Sequence, residues 1–257
     1  MNISQTQLNY LCQLAKVAGD EIMDVYQEHI NTWQKDDDSP LTEADLRADK
    51  VIREGLEIHF PNVFILSEES RSALTETTPE SLFLVDPLDG TKEFLKRNDE
   101  FTVNIALIYQ GRVIAGVVFA PALNELFYAA AGLGCWKEDG TGKRQLTIAP
   151  RDETQPLRII GSRSHGTDKL NDWLTTLNQP YTLITAGSSL KFCRVAEGQA
   201  DIYPRFGPTS QWDTAAAQCI VEQAGGKVAD LAEQSLCYGL NRDILNPSFI
   251  VTRERCV

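Results

Sequence analysis

The string Asp86-Pro87-Leu88-Asp89-Gly90-Thr91 concentrates the chain's chemistry. A buried apolar run, Leu82-Phe83-Leu84-Val85, is predicted to stop at its first aspartate. Proline stiffens the next step. The second aspartate follows where a turn could aim both carboxylates at one point. Gly90 removes a Cβ, so backbone N–H groups can approach an anion. Thr91 adds a hydroxyl. Carboxylate oxygens, a backbone carbonyl and room for water and phosphate are what Mg²⁺ and similar hard cations require. The same hexapeptide also fits a capped turn whose aspartates bond only backbone amides. Glu68-Glu69 stand at the mouth of the short run Val63 to Leu66, as further ligands or as solvated loop acids. Asp213 follows Trp212 at the start of an apolar helix, as a ligand or as a first-turn acid favoured by the helix dipole. Thr42-x-x-Asp45 resembles a capping box. Together these acids suit a pair of metals about 4 Å apart, which carries roughly four positive charges and needs several carboxylates. Such a site clamps a phosphate and turns a bound water into a nucleophile.

Other chemistries lack their residues. There is no Walker A string, no G-x-G-x-x-G and no G-x-S-x-G. The 6 cysteines form no C-x-x-C pair, and the 3 histidines are scattered. Reduced, mostly buried thiols are expected, as in a cytosolic protein. Lys+Arg number 24 against 36 Asp+Glu, a net charge of −12, which opposes nonspecific binding to nucleic acid. No apolar stretch is long enough to span a membrane. The N-terminus shows no basic and apolar leader pattern, so no secretory signal is expected.

The 257 residues, 42% hydrophobic and 23% charged, suit one large domain or two lobes. Leu8, Leu11, Ala15, Ala18, Ile22 and Val25 predict a helix over roughly 4–29. After a polar break at 35–40, Thr42 opens a second helix to about His59. A polar loop covers 70–81. Runs at 101–109, 113–119 and 126–130, with turns between them and another at 139–143, predict an antiparallel meander. The polar stretch Ala149 to Pro156 is the candidate boundary between lobes 1–150 and 151–257. Beyond it, strands at 157–161, 182–185, 200–203 and 248–252 alternate with helices at 169–177, 190–197 and 213–224. This rhythm implies α/β layering.

In combination, Glu68-Glu69-Ser70, the Asp86 to Thr91 string and Trp212-Asp213-Thr214-Ala215-Ala216 resemble the inositol monophosphatase superfamily. Its members are Mg²⁺-dependent, lithium-sensitive phosphatases, and Thr42 to Asp45 fits the N-terminal signature. Lys92-Glu93-Phe94, Gly161 to His165, Gly187 to Phe192 and Asp201 to Arg205 resemble its 3′(2′),5′-bisphosphate nucleotidase branch, in its bacterial form. Gln211 departs from the pattern, where relatives often carry Glu.

The resemblance implies an α/β (α+β) fold, a layered αβαβα sandwich with the site between two lobes. It implies one Mg²⁺ on Glu68, Asp86 and the Leu88 carbonyl, and a second on Asp86, Asp89 and Asp213. A weaker third ion would sit near Glu68. Thr91, backed by Asp45, would orient and deprotonate a metal-held water for in-line attack, with Glu68 also among the catalytic groups. The Gly90 and Thr91 amides would bind the cleaved phosphate. Glu68, Leu88, Asp89 and Asp213 would also border the substrate, and His165, Ser188, Lys191 and Arg205 would contact the nucleotide. The implied reaction converts adenosine 3′,5′-bisphosphate to AMP and phosphate in sulfur metabolism, with 3′-phosphoadenylyl sulfate as a second substrate. An inositol or sugar monophosphatase is the alternative on the same scaffold. A silent cation- or partner-binding module is the alternative of another class. The implied protein is a cytoplasmic monomer or homodimer without a nucleic-acid partner. Peripheral association with the inner membrane is left open, and the net charge gives no electrostatic reason for it.

Overall fold

Ser4 opens the first helix. Its hydroxyl accepts from the Gln7 N–H at 3.2 Å, and its own N–H donates to Gln7 Oε1 at 2.9 Å. This reciprocal cap starts α1 (Gln5–Gln27), whose predicted apolar stripe is buried throughout. The computed structural model describes residues 2–28, 32–34, 40–69, 79–162 and 168–253. The break at 35–39, Ser70, most of the 70–81 loop, His165 and Cys256 lie outside the described residues.

An antiparallel pair, β1 (Thr32–Gln34) and β2 (Pro40–Thr42), leads into α2 (Glu43–His59). Then come β3 (Phe64–Ser67), β4 (Ser81–Asp89) and a short α3 (Thr91–Leu95) that the sequence reading missed. The meander is β5 (Thr102–Tyr109), β6 (Arg112–Ala120), β7 (Glu125–Ala130), β8 (Gly134–Asp139) and β9 (Gly142–Leu146). These form a 7-stranded sheet in the order β3-β4-β5-β6-β7-β8-β9. The last two strands escaped prediction because β9 is mostly exposed and polar, and β8 buries a lysine. Lys137 Nζ is neutralised there by Glu125 Oε1 at 2.5 Å and Glu197 Oε2 at 2.8 Å.

The chain continues through β10 (Leu157–Ser162), α4 (Asp168–Thr175), β11 (Tyr181–Ala186), α5 (Leu190–Ala196) and β12 (Ile202–Arg205). It closes with α6 (Gln211–Ala224), β13 (Lys227–Asp230) and β14 (Phe249–Thr252). Their 5-stranded sheet runs β11-β10-β12-β14-β13. Strand β13, placed directly after Gly225-Gly226, was not predicted.

Helices α1 and α2 bury their stripes on one face of the large sheet, against Phe83, Val85, Ile105 and Val117. The other face packs on α5 and α6, which in turn cover the second sheet through Tyr203, Phe249 and Val251. The far side of that sheet takes α4 through Leu157, Ile159 and Leu174. The layers therefore read α, β, α, β, α, as the resemblance implied. Both faces of β4 are buried, which is why it reads as a continuous apolar run. The five described cysteines are free and four are buried. Among the described residues no helix is long and apolar enough to cross a membrane.

One correction bears on function. Strand β4 does not stop at Asp86 but continues through Pro87 to Asp89. Asp86 pairs with Asn104 and Asp89 with Thr102, so β4 holds one extra residue across this step. In a regular strand, residues an odd number apart face opposite sides. The bulge reverses that parity and brings both carboxylates to one side. It also tolerates Pro87, which has no N–H for a ladder.

The second sheet is tied at one end by Asp201, which is 3% exposed. Its Oδ1 accepts from Arg158 Nη2 and from Arg253 Nη1, both at 2.7 Å. Burial alone would raise its pKa, but the Arg158 and Arg253 bonds outweigh it and hold the group down at about 2. Asp201→Asn is therefore expected to cost about 2 kcal/mol at neutral pH, because mostly buried Arg253 loses its counter-charge while Arg158, 38% exposed, is screened by water. A depressed carboxylate pKa stabilises above the unfolded value of 3.8 and loses that contribution as pH falls toward 2. Thermal melts of both proteins should therefore draw together below about pH 4 and meet near pH 2.

Candidate active site

The C-terminal end of β4 opens into a cavity of ≈ 420 Å³. Glu68, Asp86, Leu88, Asp89, Gly90, Thr91 and Asp213 all line it. Glu68 comes from the end of β3, Asp213 from the first turn of α6, and the rest from the β4 bulge and the start of α3. Oxygens of Glu68, Asp86 and Asp213 lie within 4.8 Å of one another. Asp86 is buried, and its Oδ1 accepts from the Leu88 N–H at 3.1 Å, which folds the bulge around it.

The electrostatics are unbalanced. Burial, then the charges of Asp89 and Glu68, push the Asp213 pKa well above the usual carboxylate range. Burial also raises Asp89, against the opposing pull of Lys191. An all-oxygen, acidic donor set in this state fits a hard divalent cation, whose charge relieves the repulsion.

Asp45 serves two partners. Its Oδ2 accepts from the Thr42 N–H at 2.7 Å and the Thr42 hydroxyl at 2.6 Å, capping α2. Its Oδ1 lies 3.3 Å from the Thr91 hydroxyl, which is also 3.4 Å from the Leu88 carbonyl. The capping box and the contact with Thr91 therefore coexist. Gly90 holds φ at 93°, a left-handed turn that starts α3 without the strain a side chain would bring.

A smaller cavity of ≈ 110 Å³ adjoins the first and shares Asp89, Gly90, Glu93, Thr209 and Asp213 with it. Ser188, Lys191 and Arg205 line its other walls. Burial drives the Lys191 pKa down to about 8. Ser188 Oγ and Arg205 Nε are buried without a hydrogen-bond partner. Acidic and basic halves thus meet at Asp89. Every predicted site residue borders one of the two cavities, except Asp45, which stands behind Thr91, and His165, which lies outside the described residues.

A model of the inositol monophosphatase family matches residues 4–255. The chain belongs to that family. It is 50% identical over 248 residues to the 3′(2′),5′-bisphosphate nucleotidase CysQ of Salmonella typhimurium, covering 95% of this chain and 99% of that one. Against the protein of the same name from Escherichia coli K12 the identity is 47% over the same shares. Among solved structures, CysQ of Bacteroides thetaiotaomicron superposes with a TM-score of 0.84 at 37% identity, covering 96% of this chain and 97% of that one. The layered fold described above is that of the family.

Two residues of this family member escaped the sequence reading. Asn104 Nδ2 donates to Asp89 Oδ2 at 3.3 Å and to Ser189 Oγ at 2.9 Å. Ser189 Oγ stands 2.9 Å from Asp89 Oδ2 and 2.8 Å from the Asp213 carbonyl. Thr102 fixes the Asn104 amide by donating to its Oδ1 at 3.0 Å. No local sequence signal marks either, since Asn104 comes opposite Asp86 only through the register of β4 with β5. Groups that orient a metal ligand matter nearly as much as the ligand. Asn104→Ala is expected to weaken Mg²⁺ dependence roughly 10- to 100-fold, read from activity against Mg²⁺ concentration. Gln211, the departure from the pattern, is buried and bonds the Gly239 and Asp243 carbonyls, so it braces a loop.

Proposed function

We propose that this chain removes the 3′-phosphate of adenosine 3′,5′-bisphosphate, giving AMP and phosphate, and recycles that nucleotide in sulfur metabolism. The observation that carries the reading is the junction at Asp89. A carboxylate-lined cavity fit for cations abuts a second cavity lined by Lys191 and Arg205. A substrate with two separate phosphates matches both halves. The identity with the nucleotidases named above supports the same choice. The analogous 3′-phosphate of 3′-phosphoadenylyl sulfate presents the same group to the site.

In this reading Glu68, Asp86 and the Leu88 carbonyl would hold one Mg²⁺, Asp86, Asp89 and Asp213 would hold another, and a weaker third would sit near Glu68. Bound Mg²⁺ supplies positive charge that polarises the phosphoryl oxygens and makes water a better nucleophile. The protein supplies direction. The Thr91 hydroxyl accepts a proton from the attacking water as its own passes toward Asp45 Oδ1. The Gly90 and Thr91 amides face the phosphate being cleaved. Lys191, Arg205 and Ser188 receive the other phosphate, and Lys191 gains most, since burial disfavours its charge until an anion arrives. Residues 1–150 and 151–257 act as two lobes around the cleft. The chain works as a monomer or homodimer in the cytoplasm.

The test is phosphate release with Mg²⁺ from adenosine 3′,5′-bisphosphate and from inositol 1-phosphate in parallel, with Asp89→Asn as the blank. Strong preference for the nucleotide, lost in the variant, is expected. Preference for the inositol ester would keep the metal chemistry and overturn the substrate, and inactivity on both would favour a silent module.

A further inference from the structure

The turn at residues 187–189 leads into α5 and brings Ser188, with Lys191 in the first turn of that helix, to the wall of the smaller cavity. Every residue of that turn is tied down. The Gly187 N–H donates to Glu100 Oε2 at 2.9 Å. The Ser188 carbonyl accepts from Lys191 Nζ. Ser189 is bound to Asp89 and to the Asp213 carbonyl. The fit at Gly187 leaves no space, because a Cβ there would collide with the Glu100 carbonyl and with Glu93 Cγ. Ser188 is held at φ 42°, a left-handed conformation that a serine keeps only when its surroundings impose it.

Glu100 also borders the phosphate-binding side. A Cβ on Gly90 would stand 3.3 Å from the Glu100 carbonyl and 3.3 Å from Ser188 Cβ. The Glu100 backbone is thus wedged between Gly90 and Gly187. Its own N–H is fixed by Asn98 Oδ1 at 3.1 Å. The stretch before β5 therefore sets the distance between the half that would hold the reacting phosphate and the half that would hold the other.

We propose that Glu100 is a positioning residue that sets selectivity for a substrate with a second phosphate. It acts through its hydrogen bond to the Gly187 amide, which holds Ser188 and Lys191 where that second phosphate lies. Its charge also favours the protonated form of Lys191. The inference rests on the bisphosphate reading above and adds the residue that enforces it.

The experiment compares two substrates in each variant: adenosine 3′,5′-bisphosphate and 3′-AMP, which lacks the second phosphate. Glu100→Ala is expected to raise KM for the bisphosphate roughly 10- to 100-fold, the scale of a small misplacement of binding groups. Its kcat/KM on 3′-AMP should fall far less, since Ser189, the residue of the turn that braces Asp89, keeps its own contacts with Asp89 and the Asp213 carbonyl when the Gly187 bond is lost. Glu100→Gln should restore the bisphosphate KM, because its amide oxygen still accepts from Gly187. Glu100→Asp keeps the charge but withdraws the acceptor, and should raise KM as alanine does, which serves if the alanine variant does not fold. Equal losses on both substrates, or no loss on either, would overturn the proposal, and so would a glutamine variant that behaves like alanine. Wild-type activity on the bisphosphate alone decides the functional reading, so the two failures are distinguishable.

Discussion

Asp213→Asn is expected to lower kcat on adenosine 3′,5′-bisphosphate at least ~10³-fold, about 4 kcal/mol of transition-state stabilisation. The same change should raise the melting temperature of the metal-free protein. Asp213 packs against Glu68 and Asp86 with oxygens inside 4.8 Å. Burial and the Asp89 and Glu68 charges raise its pKa well above the ordinary value, so its ionised form opposes folding when no cation is present. Asparagine removes that charge at nearly constant volume, and its carbonyl oxygen can still accept the Ser210 N–H that Asp213 Oδ2 takes at 2.8 Å. The pH dependence follows in sign. A carboxylate with a raised folded pKa takes up its proton in the folded state before the unfolded chain does. Metal-free wild type should therefore gain stability relative to the variant as pH falls through that raised pKa toward the unfolded value of 3.8. Melts with chelator and with Mg²⁺, across pH, check all of this. A wild type stabilised by Mg²⁺ no more than the variant would remove Asp213 from the ligand set.

Thr91→Ala should lower kcat by about 10²- to 10⁴-fold with little change in KM, the usual loss when a positioned proton carrier is removed. Thr91→Ser keeps the hydroxyl and should retain most activity. Asp45→Asn separates the two duties of Asp45. One oxygen still caps α2 through the contacts now made at 2.7 and 2.6 Å, so stability should fall by no more than about 1 kcal/mol. The amide then faces Thr91 as a donor, opposite to the present contact at 3.3 Å, and the proton route is closed. Activity should fall as far as in Thr91→Ala. Steady-state kinetics beside thermal melts checks both, and a fully active Thr91→Ala would remove the hydroxyl from the reaction.

Much of this protein is legible along the chain because its signals are local. The stripe from Leu8 to Val25 marks a helix, because residues three and four apart share a face. The runs of β5, β6 and β7 mark strands because apolar residues there fill both faces of a covered sheet. Thr42 and Asp45 announce a helix start, whereas the acids at 68, 86, 89 and 213 suit either a cation site or loop and cap positions until the family resemblance groups them. Family resemblance then places Ser188, Lys191 and Arg205 beside those acids, where the second cavity lies.

What stayed hidden depends on partners far away in sequence. Nothing near Pro87 says that β4 continues past it, because the bulge exists only against Asn104 and Thr102 of β5. Lys137 conceals a strand until Glu125 and Glu197 are in place to neutralise it. Asn104 and Ser189 look ordinary until folding sets both on Asp89. The same holds for Glu100, whose hydrogen bond to Gly187 joins two elements that are adjacent only in the folded chain. Periodicity and residue type are properties of short segments, so they survive in a linear reading. Register parity, charge balance and the aim of a carboxylate are set by contacts across the sandwich, and folding is the step that creates them.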